Sequence, residues 1–504
     1  MSQHQYADIR IPINAENPSI RRDEALCIKC GACRRVCEAE IAVGRMYDLE
    51  STGDRAICVH CGQCANVCPV DSITEQYEYA EVKKAIDDPD TIVVFNTSPS
   101  VRVGLGEEFG MEPGAFVEGK LVAALRALGA DYVLDTNFAA DLTIMEEASE
   151  LVDRIVNKTK PLPQFTSCCP AWVKFNETFF PKNLPHISTA KSPIGMQGPT
   201  VKTYFAKQTG IDPKRIVNVA VTPCTAKKFE IRRDEMKASG MRDMDHVVTT
   251  RELAKWLRED GVDFKTLADK EYDKLMGAAS GAGVIFGNTG GVMEAAARTA
   301  YFLVAGKNPP DAFLKLEPVR GMDGVRAATV DIAGTPLRVA VVHGIENAKQ
   351  VVEKLEAGDC PFDFIEVMAC RGGCIGGGGQ PKTTVPMSDE IRNARIASLY
   401  KKDAAMTLRC SHDNPDITAV YAQFYGKPLS PPAEQYLHTA YYSRVADLGP
   451  KGKIEKTLTK ITGCVCGVCG YKYPGSKDEF AQLPDNYLCP ICGVKKEKFV
   501  LLQF

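Results

Sequence analysis

The sequence predicts an α/β domain with parallel sheets, flanked at each end by a small cysteine-rich metal module. Two observations carry this. Of the 20 cysteines in 504 residues, eight fall between Cys27 and Cys68 and five between Cys464 and Cys492, mostly as C-x2-C pairs, while the other seven are scattered. Between the two clusters, β-rich runs at 91–95, 216–221 and 337–342 alternate with helical stretches at 121–128 and 144–156, the pattern of parallel strands joined by crossover helices. The boundaries that follow are a first module over 1–80, a central domain over 81–450, a linker over 451–461 that opens in the flexible-looking run Gly449-Pro450-Lys451-Gly452-Lys453, and a last module over 462–504.

Composition narrows the classes of function. With 61 Lys+Arg against 64 Asp+Glu, a formal charge of −3 and 45% hydrophobic residues, the chain is neither disordered nor equipped with a basic footprint for nucleic acid. The opening MSQHQYADIR has no apolar core, and the uncharged run 275–293 is mostly Gly, Ala, Asn and Thr, so neither a signal peptide nor a membrane span is expected. Cysteines clustered as metal-ligand pairs, rather than spread as staples, imply a reducing compartment and a cytoplasmic location.

In the first module, C-x2-C-x2-C-x3-C at 27–37 recurs at 58–68 and is followed by Pro69. This is the bacterial two-cluster ferredoxin run, in which each fourth cysteine serves the other cluster. One 4Fe-4S cluster is therefore assigned to Cys27, Cys30, Cys33 and Cys68, and a second to Cys58, Cys61, Cys64 and Cys37, in an α+β ferredoxin-like domain. Glu38 stands where a proline usually follows the first run. In the last module, Cys466, Cys469, Cys489 and Cys492 form two knuckles, with Tyr471, Tyr473 and Leu483-Pro484 around them. Four thiolates arranged this way hold one tetrahedral metal, and the module resembles rubredoxin; its shorter spacing leaves zinc as the alternative to iron.

The central domain carries three further motifs: Thr166-Ser-Cys-Cys-Pro-Ala-Trp172, Thr222-Pro-Cys-Thr-Ala-Lys-Lys-Phe-Glu230, and Glu366-Val-Met-Ala-Cys-Arg-Gly-Gly-Cys374 running on to Gln380-Pro381. Together they resemble the signature motifs of the iron-only (FeFe) hydrogenases over about 80–445, with Asp141 to Glu147 and Ser411-His412-Asp413-Asn414-Pro415 as supporting matches. The resemblance implies an H-cluster: a cubane on Cys169, Cys224, Cys370 and Cys374, with Cys374 also bridging to a diiron subsite carrying CO, cyanide and an azadithiolate. It implies Cys168 as proton donor, with Glu147, Glu150, Ser188 and Arg154 continuing the route to solvent. Glu147, Glu150 and Arg154 share one helix face and would otherwise be read as a solvated charged stripe. Lys227, otherwise an ordinary surface lysine, resembles the lysine that hydrogen-bonds a cyanide, with Glu230 supporting it and Pro99, Ser100 and Met368 lining the subsite. The glycines 376–379 permit a close backbone approach to a bulky cluster.

Thr222 and Ala171 depart from the family pattern, which carries methionine and glycine there, and mark a divergent subgroup. Cys360 and Cys410 read as apolar fillers, and Cys464 has no assigned role. The Gly-rich stretch 281–291 lacks a phosphate-binding motif and reads as a close-packed turn before a helix at Val292. The implied activity is reversible interconversion of dihydrogen with protons and electrons, relayed through the 4Fe-4S clusters and a rubredoxin-type iron. Implied partners are a soluble electron carrier such as ferredoxin and the maturation proteins that install the diiron subsite. The rival readings are a slow-turnover hydrogen sensor or electron-transfer module, and an assembly-related homologue holding ordinary cubanes.

Overall fold

A computed structural model describes residues 10–459, 462–466, 468, 471 and 473–503. In the first module, Ile20–Arg22 pairs antiparallel with Ile73–Glu75, closing the module at its two ends. Between them lie the helices Ala32–Ala39 and Gln63–Asn66, each entered through a glycine with positive φ, Gly31 at 79° and Gly62 at 70°. Those left-handed residues turn each C-x2-C-G loop into the helix that follows. Ile11, Ile20, Val36, Ala65 and Ile73 then pack against Cys33, Cys64 and Cys68.

The central domain contains two four-stranded sheets. The first is wholly parallel, in the spatial order Tyr132–Asp135, Ile92–Thr97, Ile216–Thr222, His246–Thr249. It is buried nearly throughout, which is why its strands read as continuous apolar runs. The second runs Gln164–Phe165, Phe364–Met368, Thr335–His343, Val325–Ile332. Its first three strands are parallel, but the last two form an antiparallel hairpin, a departure from the all-parallel expectation. The hairpin turns on Ala333 and Gly334, both with positive φ (51° and 94°), the backbone of a two-residue primed turn. Alanine in the first turn position hides it from a reading of turn residues.

The helix Thr136–Asn157 starts from an Asp135 carboxylate that accepts from the Asn137 N–H at 2.7 Å, and it is buried along most of its length. Gly281–Ile285 is a short helix rather than a turn, and Gly291–Ala305 follows it. The close packing expected of its glycines is present: a Cβ on Gly283 would meet the Asn137 carbonyl at 2.6 Å, and one on Gly287 the Ser100 hydroxyl at 2.6 Å.

Residues 451–459 do not hang free as the flexible-linker expectation supposes. Ile454 and Lys456 donate backbone N–H groups to the Met46 and Arg45 carbonyls at 3.1 and 2.9 Å. Thr459 donates through N and Oγ1 to Glu38, both at 2.9 Å, and Lys451 pairs with Asp48 at 2.7 Å. Glu455 lies 3.1 Å from Lys349 of the central domain. The polar residues that suggested a solvated tether are instead a strap across the first module and its neighbour. Beyond it, Thr462–Cys466 pairs antiparallel with Phe499–Gln503, and Tyr473, Phe480, Tyr487 and Phe499 form an aromatic cluster. Among the described residues, no helix is long and apolar enough to cross a membrane.

Candidate active site

Parallel strands deliver their C-terminal ends to one region, and the motif residues sit there. Pro99 and Ser100 follow Ile92–Thr97, Cys168 and Cys169 follow Gln164–Phe165, Cys224 follows Ile216–Thr222, and Cys370 follows Phe364–Met368. In open α/β sheets this is where ligands bind. Here two such sheets face a shared cavity of about 490 Å³, whose walls include Pro99, Ser100, Cys168, Thr222, Cys224, Lys227, Met368 and Cys374.

Cys224 and Cys374 line this cavity, and Cys169 and Cys370 are among their neighbouring thiols, none in a disulfide. Burial pushes all four thiols up, Cys224 to about 11, and the neighbouring thiols add to this: Cys169 acts on Cys224, and both act on Cys370 and Cys374. Four buried, mutually facing thiols of high pKa would not ionise together alone, whereas an iron–sulfur cubane binds them as thiolates. The donor set fits a cubane. An N–H is already aimed at Cys169 Sγ, from Ala369 at 3.4 Å.

The first module's cysteines divide crosswise. Cys27, Cys30, Cys33 and Cys68 line one cavity of about 330 Å³. Burial raises Cys30 to about 11, with Cys33, Cys68 and Cys27 as its neighbouring thiols. Burial raises Cys61 too, with Cys64, Cys58 and Cys37 beside it. The second group abuts the site: Cys61 is among the thiols acting on Cys370, and a Cβ on Gly378 would lie 2.3 Å from the Cys61 carbonyl. The glycines 376–379 thus approach peptide more closely than cavity. Their absent Cβ atoms would meet Arg371 O at 2.4 Å, Pro223 O at 2.5 Å, Cys61 O at 2.3 Å and Thr249 Cβ at 2.5 Å.

A buried polar chain leads away from Cys168. Burial, with the Glu147 carboxylate beside it, holds the Cys168 thiol well above its ordinary value. Burial and then Glu150 raise Glu147 to about 8, although its Oε1 accepts the Ser167 N–H at 3.3 Å. Ser188 donates to Glu150 Oε2 at 2.7 Å and favours the charged form of Glu147, whose Oε2 is buried without a hydrogen-bond partner. Burial alone would raise Glu150, but Arg154 and Lys160 hold it down at about 2.

The far end of this chain differs from the expectation. Arg154 is sealed, donating to Glu150 at 2.7 Å and to the carbonyls of Pro161, Pro185, His186 and Ile187. A guanidinium has no acceptor and stays protonated, so it fixes Glu150 rather than relaying. Lys160, 2.9 Å from Glu150 and 38% exposed, is the group that meets solvent. Thr189, whose N–H donates to Glu150 at 3.0 Å, also escaped the sequence reading. Both lie in loops, where no periodicity points inward.

Lys227 is not at the surface: its Nζ donates to the Cys168 carbonyl at 3.0 Å and to Glu230 at 2.8 Å, and Ser192 donates to the same Glu230 oxygen at 3.0 Å. Burial opposes its charge, yet Glu230 and the Cys224 thiol raise it, leaving a cation at the cavity wall.

In the last module, ligand atoms of Cys466, Cys489 and Cys492 lie within 4.8 Å of one another, with Cys466 and Cys492 sulfurs 3.6 Å apart. Cys469 lies outside the described residues. Cys410 is buried beside His412 and Asp413, but both ring nitrogens of His412 are engaged, by Thr299 at 3.2 Å and Asn308 at 2.8 Å. Cys360 is half-buried and Cys464 buried.

Two crosswise thiol groups leading to a third, set in an α/β cavity with a buried acid chain, define an iron–sulfur oxidoreductase whose catalytic cluster handles protons. The matches to known proteins specify which. The family profile "Iron only hydrogenase large subunit, C-terminal domain" matches residues 91–378, "Iron hydrogenase small subunit" matches 389–444, and "4Fe-4S dicluster domain" matches 26–73. The chain is 45% identical over 443 residues to the NADP-reducing hydrogenase subunit HndD of Solidesulfovibrio fructosivorans, covering 84% of this chain and 75% of the relative. It is 48% identical over 392 residues to the periplasmic Fe hydrogenase large subunit of Nitratidesulfovibrio vulgaris, covering 77% and 92%. A solved FeFe-hydrogenase from Chlamydomonas reinhardtii superposes with a TM-score of 0.65 at 40% identity, over 73% of this chain and 99% of that one. The chain belongs to the iron-only hydrogenase family. It is an oxidoreductase acting on dihydrogen, with an H-cluster and a 4Fe-4S relay.

Proposed function

We propose that Cys169, Cys224, Cys370 and Cys374 hold the cubane, that Cys374 also bridges to the diiron subsite, and that Cys168 exchanges protons with the cavity. When bound, the diiron subsite with its CO, cyanide and azadithiolate ligands supplies the metal centre at which dihydrogen is made or split. The chain supplies the rest. Lys227, held as a cation by Glu230, presents donors suited to an anionic cyanide, while Pro99, Ser100 and Met368 shape the wall. Cys168 passes its proton to Glu147, which at about 8 is poised to carry one near neutral pH. Ser188 donates to Glu150 next along the route, and Lys160 meets solvent beyond it, with Arg154 fixing Glu150 in place. The observation that carries this reading is the unbroken burial from Cys168 to Glu150, ending at a half-exposed cation. A slow sensor has less need of such a route.

Cys27, Cys30, Cys33 and Cys68 would hold one 4Fe-4S cluster and Cys58, Cys61, Cys64 and Cys37 a second next to the catalytic cysteines, and these clusters would supply the electron relay to the cubane beside Cys370. The domains are 1–80, 81–450, a linker at 451–461 and a rubredoxin-like 462–504, where Cys466, Cys469, Cys489 and Cys492 bind iron. Thr222 and Ala171 place the chain in a divergent subgroup. A soluble carrier such as ferredoxin serves as electron partner. Cysteines clustered as metal-ligand pairs suit a reducing cytoplasm. Infrared spectra of the matured protein test the site: bound CO and cyanide bands are expected, and they should vanish in Cys374→Ala. Bands retained in that variant would overturn the bridge.

A further inference from the structure

The first module reaches into the catalytic site with one side chain. Gln63 stands between Cys61 and Cys64, is only 8% exposed, and extends its amide nitrogen across the boundary. Its Nε2 donates to Cys370 Sγ at 3.1 Å and to the Gly376 carbonyl at 2.9 Å. A residue in the inner ferredoxin loop thus hydrogen-bonds a ligand sulfur of the catalytic cubane.

An amide can present either its nitrogen or its oxygen, and with sulfur the two have opposite effects. The surroundings decide which. Arg251 Nη1 donates to Asn66 Oδ1 at 2.7 Å, and a guanidinium can only donate, so the oxygen of Asn66 must face Arg251. That leaves the Asn66 Nδ2 to donate to the Gly377 carbonyl at 2.9 Å and to Gln63 Oε1 at 3.4 Å. Gln63 must then present oxygen to Asn66 and nitrogen to Cys370. Arg251 is itself anchored, to Glu75 at 2.8 Å, to the Gly378 carbonyl at 2.6 Å and to the Gln380 carbonyl at 2.6 Å. Glu75 in turn accepts from Thr249 at 3.0 Å.

We infer that Gln63 is a potential-setting residue for the catalytic cubane, and that Arg251 acts through Asn66 as a positioning residue that keeps its N–H on Cys370. The inference rests on the assignment of Cys370 as a cubane ligand. Reduction adds negative charge that spreads onto the ligand sulfurs. An N–H donated to one of them favours the reduced state and raises the potential. Since the donor sits in the loop of the neighbouring cluster, the same residue couples the placement of the electron donor to the readiness of its acceptor.

The test is an EPR-monitored redox titration of the full-length chain carrying only its cubanes, with no diiron subsite, so that no turnover is needed. In Gln63→Leu, which keeps the volume and removes the donor, the ratio of reduced to oxidised catalytic cubane at a fixed potential should fall about tenfold, the scale of one hydrogen bond to a charged acceptor. The ratios of the two ferredoxin clusters should hold. Arg251→Met should move the cubane the same way, and Arg251→Lys, which restores a donor to Asn66, should return it towards the parent. Iron content and the number of EPR-active clusters report whether Cys370 still ligates: a chain that has lost the cubane signal in Cys370→Ala but kept it in Gln63→Leu separates this inference from the ligand assignment. An unchanged cubane ratio in a cluster-replete Gln63→Leu overturns the role of Gln63. Should that variant fail to assemble, an unchanged ratio in Arg251→Met overturns it equally.

Discussion

Two glutamates on one helix face are driven in opposite directions by what surrounds them, and this decides how each responds to pH. Burial raises Glu147 to about 8, so its proton is bound at pH 7 and lost above 8. Hydrogen production should therefore decline as pH rises through about 8, and Glu147→Gln should be slow at every pH, measured with a dye reductant. Glu150 is depressed to about 2. A depressed carboxyl adds stability that is complete above its unfolded value and drains away as pH falls towards 2, here on the order of 3 kcal/mol at pH 7. Denaturant melts of Glu150→Gln should show a loss of that order at pH 7 that shrinks steadily below pH 4. Cys168→Ala should lose most turnover while keeping its iron and its infrared bands, because delivery rather than ligation is removed; near-normal turnover would sink its assignment. At this scale the sequence was most legible where chemistry dictates spacing, as in the cysteine runs, whereas the spacing of Glu147, Glu150 and Arg154 alone would have read as a solvated stripe, although all three are buried. Lys160, Thr189, Gln63 and Arg251 act through loops or across modules. Nothing local in the sequence marks them.

Among elements, the parallel sheets and their crossovers were readable from apolar runs, since strands buried on both faces leave no alternation to misread. The hairpin of Val325–Ile332 and Thr335–His343 was not, because its Ala-Gly turn conceals half its signal. The glycines 376–379 were noticed for the right property, freedom from a Cβ, but the partner that Gly378 approaches lies in another module. That gives a sharp expectation. Gly378→Ala would place a methyl group 2.3 Å from the Cys61 carbonyl and 2.7 Å from Gly62 Cα, backbone on both sides, so the first module must shift. Overpacking of this kind costs about 1–3 kcal/mol. Stopped-flow reduction of the catalytic cubane through the ferredoxin clusters should slow, while the cavity and its infrared bands persist.

For the whole molecule, the order of the parts was legible and their mutual contact was not: a Gly/Pro/Lys run reads as a tether whether or not its backbone finds partners. The strap separates two truncations that the sequence alone would equate. A chain ending at 459 should keep dye-linked activity and thermal stability. One ending at 449 should melt several degrees lower, because the Arg45 and Met46 carbonyls and the Glu38 carboxylate lose their hydrogen bonds from Lys456, Ile454 and Thr459. Both should exchange electrons more slowly with a protein carrier if 462–504 holds redox iron, and the isolated colour of ferric tetrathiolate would distinguish it from zinc. The strap also bears on how the chain comes into being. Arg34 meets Thr459 across 425 positions, so the first module acquires its final surface only after the whole central domain has been made. Closing so long a loop is slow and entropically late. The ferredoxin loops therefore keep one flank open while the central domain is being made, a window in which their clusters can be loaded before the strap shuts over them.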